Sequence, residues 1–94
     1  MTTELHAILE ERYAKYGSFQ DVADRTRILL AVFPHRDKLP PVLAEALHMV
    51  CNKLARIACG DPMYEDSWRD IAGYAMLATQ WLEHYHHQVE KRLP

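Results

Sequence analysis

Apolar positions recur along most of this chain at three- and four-residue spacing, the period of an amphipathic α-helix. The first such run is Leu5, Ile8, Leu9 and Tyr13, with Arg12 on the same spacing. Thr2 or Thr3 can cap it, Glu4 supplies negative charge to its first turn, and Gly17 stands where a helix usually ends. Ser18 lies three residues ahead of Asp21 and can cap a second helix from Phe19 to about Val32. Its apolar side would be Val22, Ile28, Leu29 and Val32. Proline at both ends of Pro34–Pro41 makes that stretch a loop.

A third helix is expected from about Pro41 to Cys59, with Leu43, Leu47, Val50, Leu54 and Ile57 as its core stripe. Gly60-Asp61-Pro62 breaks it. A fourth helix begins near Tyr64 and runs to about Lys91, interrupted only by Gly73. Glycine there costs about 1 kcal/mol relative to alanine, so it marks a close helix crossing or a place where a ligand touches backbone. No strand pattern and no internal repeat occurs. The expectation is an all-α domain spanning residues 1–94, a compact bundle of about four helices with a long C-terminal helix.

Charge narrows the function classes. A formal charge of −2 gives no general pull toward nucleic acid or an anionic membrane, and nothing else in the chain points directly to nucleic acid. No apolar run reaches the length of a membrane span, and the first residues lack a signal peptide's basic end. A cytoplasmic protein is expected. Cys51 and Cys59 sit eight residues apart on one helix, about 12 Å along its axis, too far for a bridge. They read as buried thiols of a reducing compartment.

Candidate chemistry gathers where the third and fourth helices must face each other across the Gly60 turn. Glu45, Asn52 and Arg56 share one face of the third helix, with Lys53 at its border. Asp66, Asp70, Gly73 and Tyr74 share a face of the fourth. Carboxylates one turn apart can hold a hard cation such as Mg²⁺, with phosphate oxygens completing its shell and Lys or Arg steadying the phosphates. The same residues could equally form interhelical salt bridges, Arg56 or Lys53 to Asp66 or Asp70, with no ligand. If the two helices oppose those faces, Arg56 and Asp70 should meet within salt-bridge distance.

Two further clusters carry alternatives of their own. Tyr13, Tyr16 and Phe19 surround the Gly17 turn beside Lys15, an arrangement that could cap a base or ribose, or simply staple two helices together. His84 and His87 are one turn apart, yet zinc needs three or four convergent ligands, so that end of the helix reads as an exposed turn with adventitious metal affinity.

Three blocks carry a family resemblance: Tyr16-Gly17-Ser18-Phe19, then Asn52-Lys53-Leu54-Ala55-Arg56-Ile57, then Asp66-Ser67-Trp68-Arg69-Asp70-Ile71-Ala72-Gly73-Tyr74-Ala75. Together they resemble a family of small phage and prophage proteins. The pattern is similar to the nucleotide-modification-associated domain of phage genomes and, more distantly, to the MazG-like all-α NTP pyrophosphohydrolases. The resemblance implies a nucleotide ligand held by Lys53, Arg56, Tyr16, Asn52 and Tyr74. It also implies Mg²⁺ on Glu45, Asp66 and Asp70, with Asp66 and Asp70 as the catalytic pair. Attack of water on an NTP α-phosphate would release pyrophosphate. The MazG-like glutamate cluster is represented here by Glu45 alone, and the aspartates are spaced by four rather than three. Glu10 and Glu11 on the first helix could take the missing places. The alternative is a non-catalytic phage protein that binds and inhibits a host protein or sequesters a nucleotide signal.

Assembly is the last expectation. A fourth helix from Tyr64 to Lys91 would be roughly 40 Å long, against a diameter of roughly 30 Å for a compact domain of this length. Its last turns would overhang and carry Leu77, Trp81 and Tyr85 with them. A homodimer or a dimer of dimers would cover that stripe.

Overall fold

The computed structural model describes residues 2–92 and is all-α over that range. Helix α1 spans Thr2–Tyr16, α2 Phe19–Ala31, α3 Pro41–Cys59 and α4 Glu65–Arg92. The Pro-bounded segment contains no α-helix, only a 3-10 turn at Arg36–Lys38. It is tied back by Arg36, whose guanidinium donates to the carbonyls of Leu30 at 2.9 Å and Phe33 at 3.4 Å. Those carbonyls lie at the open end of α2, where cationic donors are favoured. The capping role expected of Thr2 lies outside the described side chains, and Thr3 is already inside α1. Ser18 caps α2 as expected, its Oγ accepting from the Asp21 N–H at 3.0 Å.

The compact four-helix bundle is corrected. Three helices pack or protrude here, the first of them bent: α1 and α2 are its two limbs, joined at Gly17–Ser18. Helix α3 is the central rod, with α2 on one side and α4 on the other. Helix α1 takes no place in that layer. From Thr3 to Ala14 every one of its residues is exposed. The molecule measures 64 × 26 × 24 Å, with a radius of gyration of 17.1 Å rather than the roughly 12 Å of a compact domain this size. Limb α1 projects past one end of α3, and the C-terminal half of α4 projects past the other.

The bend has a steric cause. Gly17 adopts φ +81°, which an L side chain resists, and a Cβ there would lie 2.5 Å from the carbonyl oxygen of Cys59. A Cβ on Gly60 would collide with the carbonyl of Lys15 and the backbone of Tyr16. The two glycine turns are therefore pressed against each other, backbone to backbone. The Asp61 N–H donates to the Lys15 carbonyl at 2.9 Å and fastens them. Gly73, by contrast, faces open space, so it marks no close helix crossing.

Packing against two neighbours also moves the expected core. On α3 the buried residues are Ala46, Cys51, Lys53 and Ala55, while Leu43, Leu47, Val50 and Ile57 are half-buried and Leu54 is exposed. Small side chains occupy the closest approaches because a rod held on both sides leaves little room there. On α2 the buried set is Val22, Thr26 and Leu30, whereas Ile28 and Val32 point to solvent. Cys51 is buried and burial pushes its thiol up; Cys59 is half-buried, and neither is bridged.

Candidate functional site

The seam between α3 and α4 does form one of the expected ion pairs, through Lys53 rather than Arg56. Lys53 reaches Asp70, Nζ to Oδ2 at 3.1 Å, with the lysine nearly buried and the carboxylate half-open to water. Arg56 does not meet Asp70. Three residues along α3 set the two side chains only about 60° apart around its axis, but that is enough to give Lys53 to α4 and Arg56 to the bent helix. There its guanidinium carbon lies 4.5 Å from the centre of the Tyr16 ring.

The carboxylates expected to share a cation are held apart in separate local contacts. Asp66 accepts from the Tyr64 hydroxyl at 2.9 Å and pairs with Arg69 at 3.1 Å, and Arg69 also pairs with Glu65 at 2.6 Å. That hydrogen bond to Asp66 holds the Tyr64 phenol above its usual range. Asp70 is engaged by Lys53. Glu45 borders a shallow apolar groove with Val42, Ala46, Tyr74 and Leu77. Glu11 is paired with Lys15 at 2.6 Å. Among the described residues no three of His, Cys, Asp and Glu converge as a metal site, the His84–His87 turn included. The reason is local: each aspartate finds a cation or hydroxyl within a turn or across the seam, so none is left facing another.

A different set of residues lines a half-enclosed cavity at the bend. The cavity, of about 390 Å³, opens where the bend meets α3. Arg12, Tyr13 and Tyr16 come from α1, Gly17 and Ser18 from the bend, Phe19 and Val22 from α2, and Asn52 and Arg56 from α3. Three of the five residues expected to bind substrate, Tyr16, Asn52 and Arg56, are thus brought together. Lys53 and Tyr74 are not among its lining residues.

Its electrostatics are one-sided. Arg12 stands 5.4 Å from the same Tyr16 ring that carries Arg56, so two guanidiniums share one aromatic face system. Among the described residues neither has a carboxylate within ion-pair distance. Tyr13, Tyr16 and Phe19 give the lining an aromatic character, and Phe19 is almost fully exposed. Tyr16 itself is fixed from behind by an edge-on contact with Tyr64, the ring centres 5.7 Å apart, and Lys15 lies over Tyr64 at 5.2 Å. Planar rings and unneutralised guanidiniums around one opening can hold a ligand that is flat at one end and anionic at the other.

Arg12 and Tyr64 were not among the expected site residues. Arg12 does lie on the helical repeat of Leu5, Leu9 and Tyr13, one turn before Tyr16, and that four-residue step was its signal. Tyr64 had none, since it reaches Tyr16 only because the two glycine turns touch.

A family model described as Domain of unknown function (DUF6378) matches residues 1–82. No curated protein and no solved structure matches the chain. The match spans the bend, the cavity and the seam, and the chain belongs to this family.

Proposed function

We propose that this member of the DUF6378 family is a nucleotide-binding protein whose ligand sits in the cavity between the bent helix and α3. The observation that carries the reading is the pair of guanidiniums, Arg12 and Arg56, over Tyr16 with no carboxylate within ion-pair distance among the described residues. Guanidiniums bind phosphate oxygens in a bidentate fork, and the exposed rings of Tyr13 and Phe19 offer a stacking surface for a base. Asn52 adds an amide that can both donate and accept. The resemblance through Tyr16-Gly17 and Arg56 to nucleotide-associated phage proteins supports the choice of nucleotide over other anions.

Binding without hydrolysis is the form this takes here. Mg²⁺-assisted attack on an α-phosphate needs carboxylates that converge on one cation, and Asp66, Asp70 and Glu45 are each committed elsewhere or apart. The protein would then act by holding or sequestering a nucleotide, in a host cytoplasm if phage-encoded, and as a homodimer or dimer of dimers.

Calorimetric titration with a panel of nucleoside mono-, di- and triphosphates, with and without Mg²⁺, tests this. Micromolar binding of at least one nucleotide, weakened at least tenfold in Arg56→Ala, is expected. Pyrophosphate release that depends on Mg²⁺ and disappears in Asp70→Asn would replace this reading with the pyrophosphohydrolase. No binding of any nucleotide would leave the host-protein partner as the better account.

A further inference from the structure

The chain exposes more surface than a folded monomer of its mass should. A compact 11.0 kDa chain is expected to expose about 5,600 Å², and this one exposes 7345 Å². The excess, roughly 1,700 Å² per chain, is what each copy contributes to a large, permanent protein interface. It resides in the two projecting limbs. On α1, Leu5, Ile8, Leu9 and Tyr13 are each more than half exposed along one stripe. On α4, Leu77 near its middle and Tyr85 and Val89 in its C-terminal half are exposed, and Trp81 stacks on Tyr85 with ring centres 5.4 Å apart.

We propose that a second copy of this chain covers both limbs at once, lying antiparallel so that α1 of each copy packs along the C-terminal half of α4 of the other. The limbs extend from opposite ends of a 64 Å rod. Pairing α1 with its own symmetry mate would leave the α4 limb bare, and the reverse pairing would leave α1 bare. Only a two-fold axis perpendicular to the rod brings unlike limbs together at both ends and closes the assembly at two copies. Length agrees: α1 has 15 residues, and α4 continues for 15 beyond Leu77. Register agrees as well. Leu5, Leu9 and Tyr13 are spaced by four, as are Val89, Tyr85 and Trp81 in the opposite direction. The antiparallel match sets Leu5 against Val89 of the partner subunit, Leu9 against Tyr85 of the partner subunit and Tyr13 against Trp81 of the partner subunit. Since Leu9 and Tyr13 also line the nucleotide cavity, the partner's α4 would back that cavity's outer wall.

This pairing rests on the homo-oligomer reading above but not on any ligand. Sedimentation equilibrium of the unmodified chain should give twice 11.0 kDa at low micromolar concentration. In a Cys51→Ala, Cys59→Ala background, the double variant Leu5→Cys, Val89→Cys should be joined between copies by a short bis-maleimide, and neither single variant should be. Leu9→Asp should halve the mass while circular dichroism still reports a helical core. A monomer in the first measurement overturns the homo-oligomer and the pairing together. A dimer that cross-links through Leu5→Cys alone or Val89→Cys alone, or not at all in the double variant, overturns the pairing and leaves the homo-oligomer standing.

Discussion

Lys53 and Arg56 leave α3 three residues apart and meet opposite fates. Lys53 is nearly buried at the α4 seam and its charge is taken up by Asp70. Arg56 lies over Tyr16, beside a second guanidinium, with no described carboxylate within ion-pair distance. The first region is a cation neutralised in the service of the fold. The second is a pair of guanidiniums around an opening, with no described carboxylate within ion-pair distance. The two cations differ in the number of carboxylates in reach, one for Lys53 and none among the described residues for Arg56.

The most disruptive way to separate the two regions is at the glycine junction. Gly60→Ala puts a Cβ into the Lys15 carbonyl and the Tyr16 backbone, where neither neighbour is a flexible side-chain end. Thermal unfolding should show a loss of about 3 kcal/mol, and binding of the proposed nucleotide should be lost even where the helix content survives. If Gly60→Ala is as stable as the parent, the turns are not in contact as described.

At the seam the two partners should be unequal. Asp70→Asn leaves a buried ammonium without its counter-charge and should cost about 1–2 kcal/mol, the lower part of the usual range because the carboxylate is half-open to water. Lys53→Met replaces the buried charge by apolar volume and should be neutral or slightly stabilising. Urea denaturation of both variants and of the double variant decides it. Equal losses in the two single variants would mean that the ion pair itself, rather than the burial of Lys53, is what matters.

On the cavity side the expectation reverses. Arg56→Ala should leave stability within about 1 kcal/mol, since a partly exposed cation over a ring contributes little. Affinity for the proposed nucleotide should fall by roughly 10–100-fold, the worth of one charge-assisted hydrogen bond. A variant that loses stability but keeps affinity would move Arg56 from the site to the scaffold.

The smallest effect concerns Glu11. Its hydrogen bond to Lys15, then the lysine's charge, holds the Glu11 carboxyl below its ordinary value of 4.5, while the same bond holds Lys15 above 10.5. A carboxyl depressed in the folded chain contributes above its ordinary pKa and loses that contribution as pH falls through the folded value. The α1 limb should therefore fray slightly below pH 4.5, with the core unchanged, as read by carboxyl-carbon titration in NMR. Lys15→Gln should bring the Glu11 titration back to the ordinary range.

The helices were legible because their signals are local. Gly17, Ser18, the prolines from Pro34 to Pro41 and Gly60 each act within a turn, and α3 ends where Gly60 stops it. The cavity was half legible. The aromatic run from Tyr13 to Phe19 and the pair Asn52 and Arg56 were visible as separate clusters, and nothing in their spacing said that they face each other. The assignment of Arg56 to Asp70 failed for one reason: a helix face is fixed by sequence, but the neighbour opposite that face is not.

By itself, then, the sequence determined the all-α class, the positions of the breaks and which residues share a helical face, because period and turn chemistry depend on residues within a few positions of one another. Tertiary structure alone decided that Gly17 and Gly60 press together, that Lys53 rather than Arg56 takes Asp70, and that the carboxylates stay apart. Those outcomes depend on which surfaces of distant segments meet, and a contact between residues some forty positions apart leaves no periodic trace in either segment.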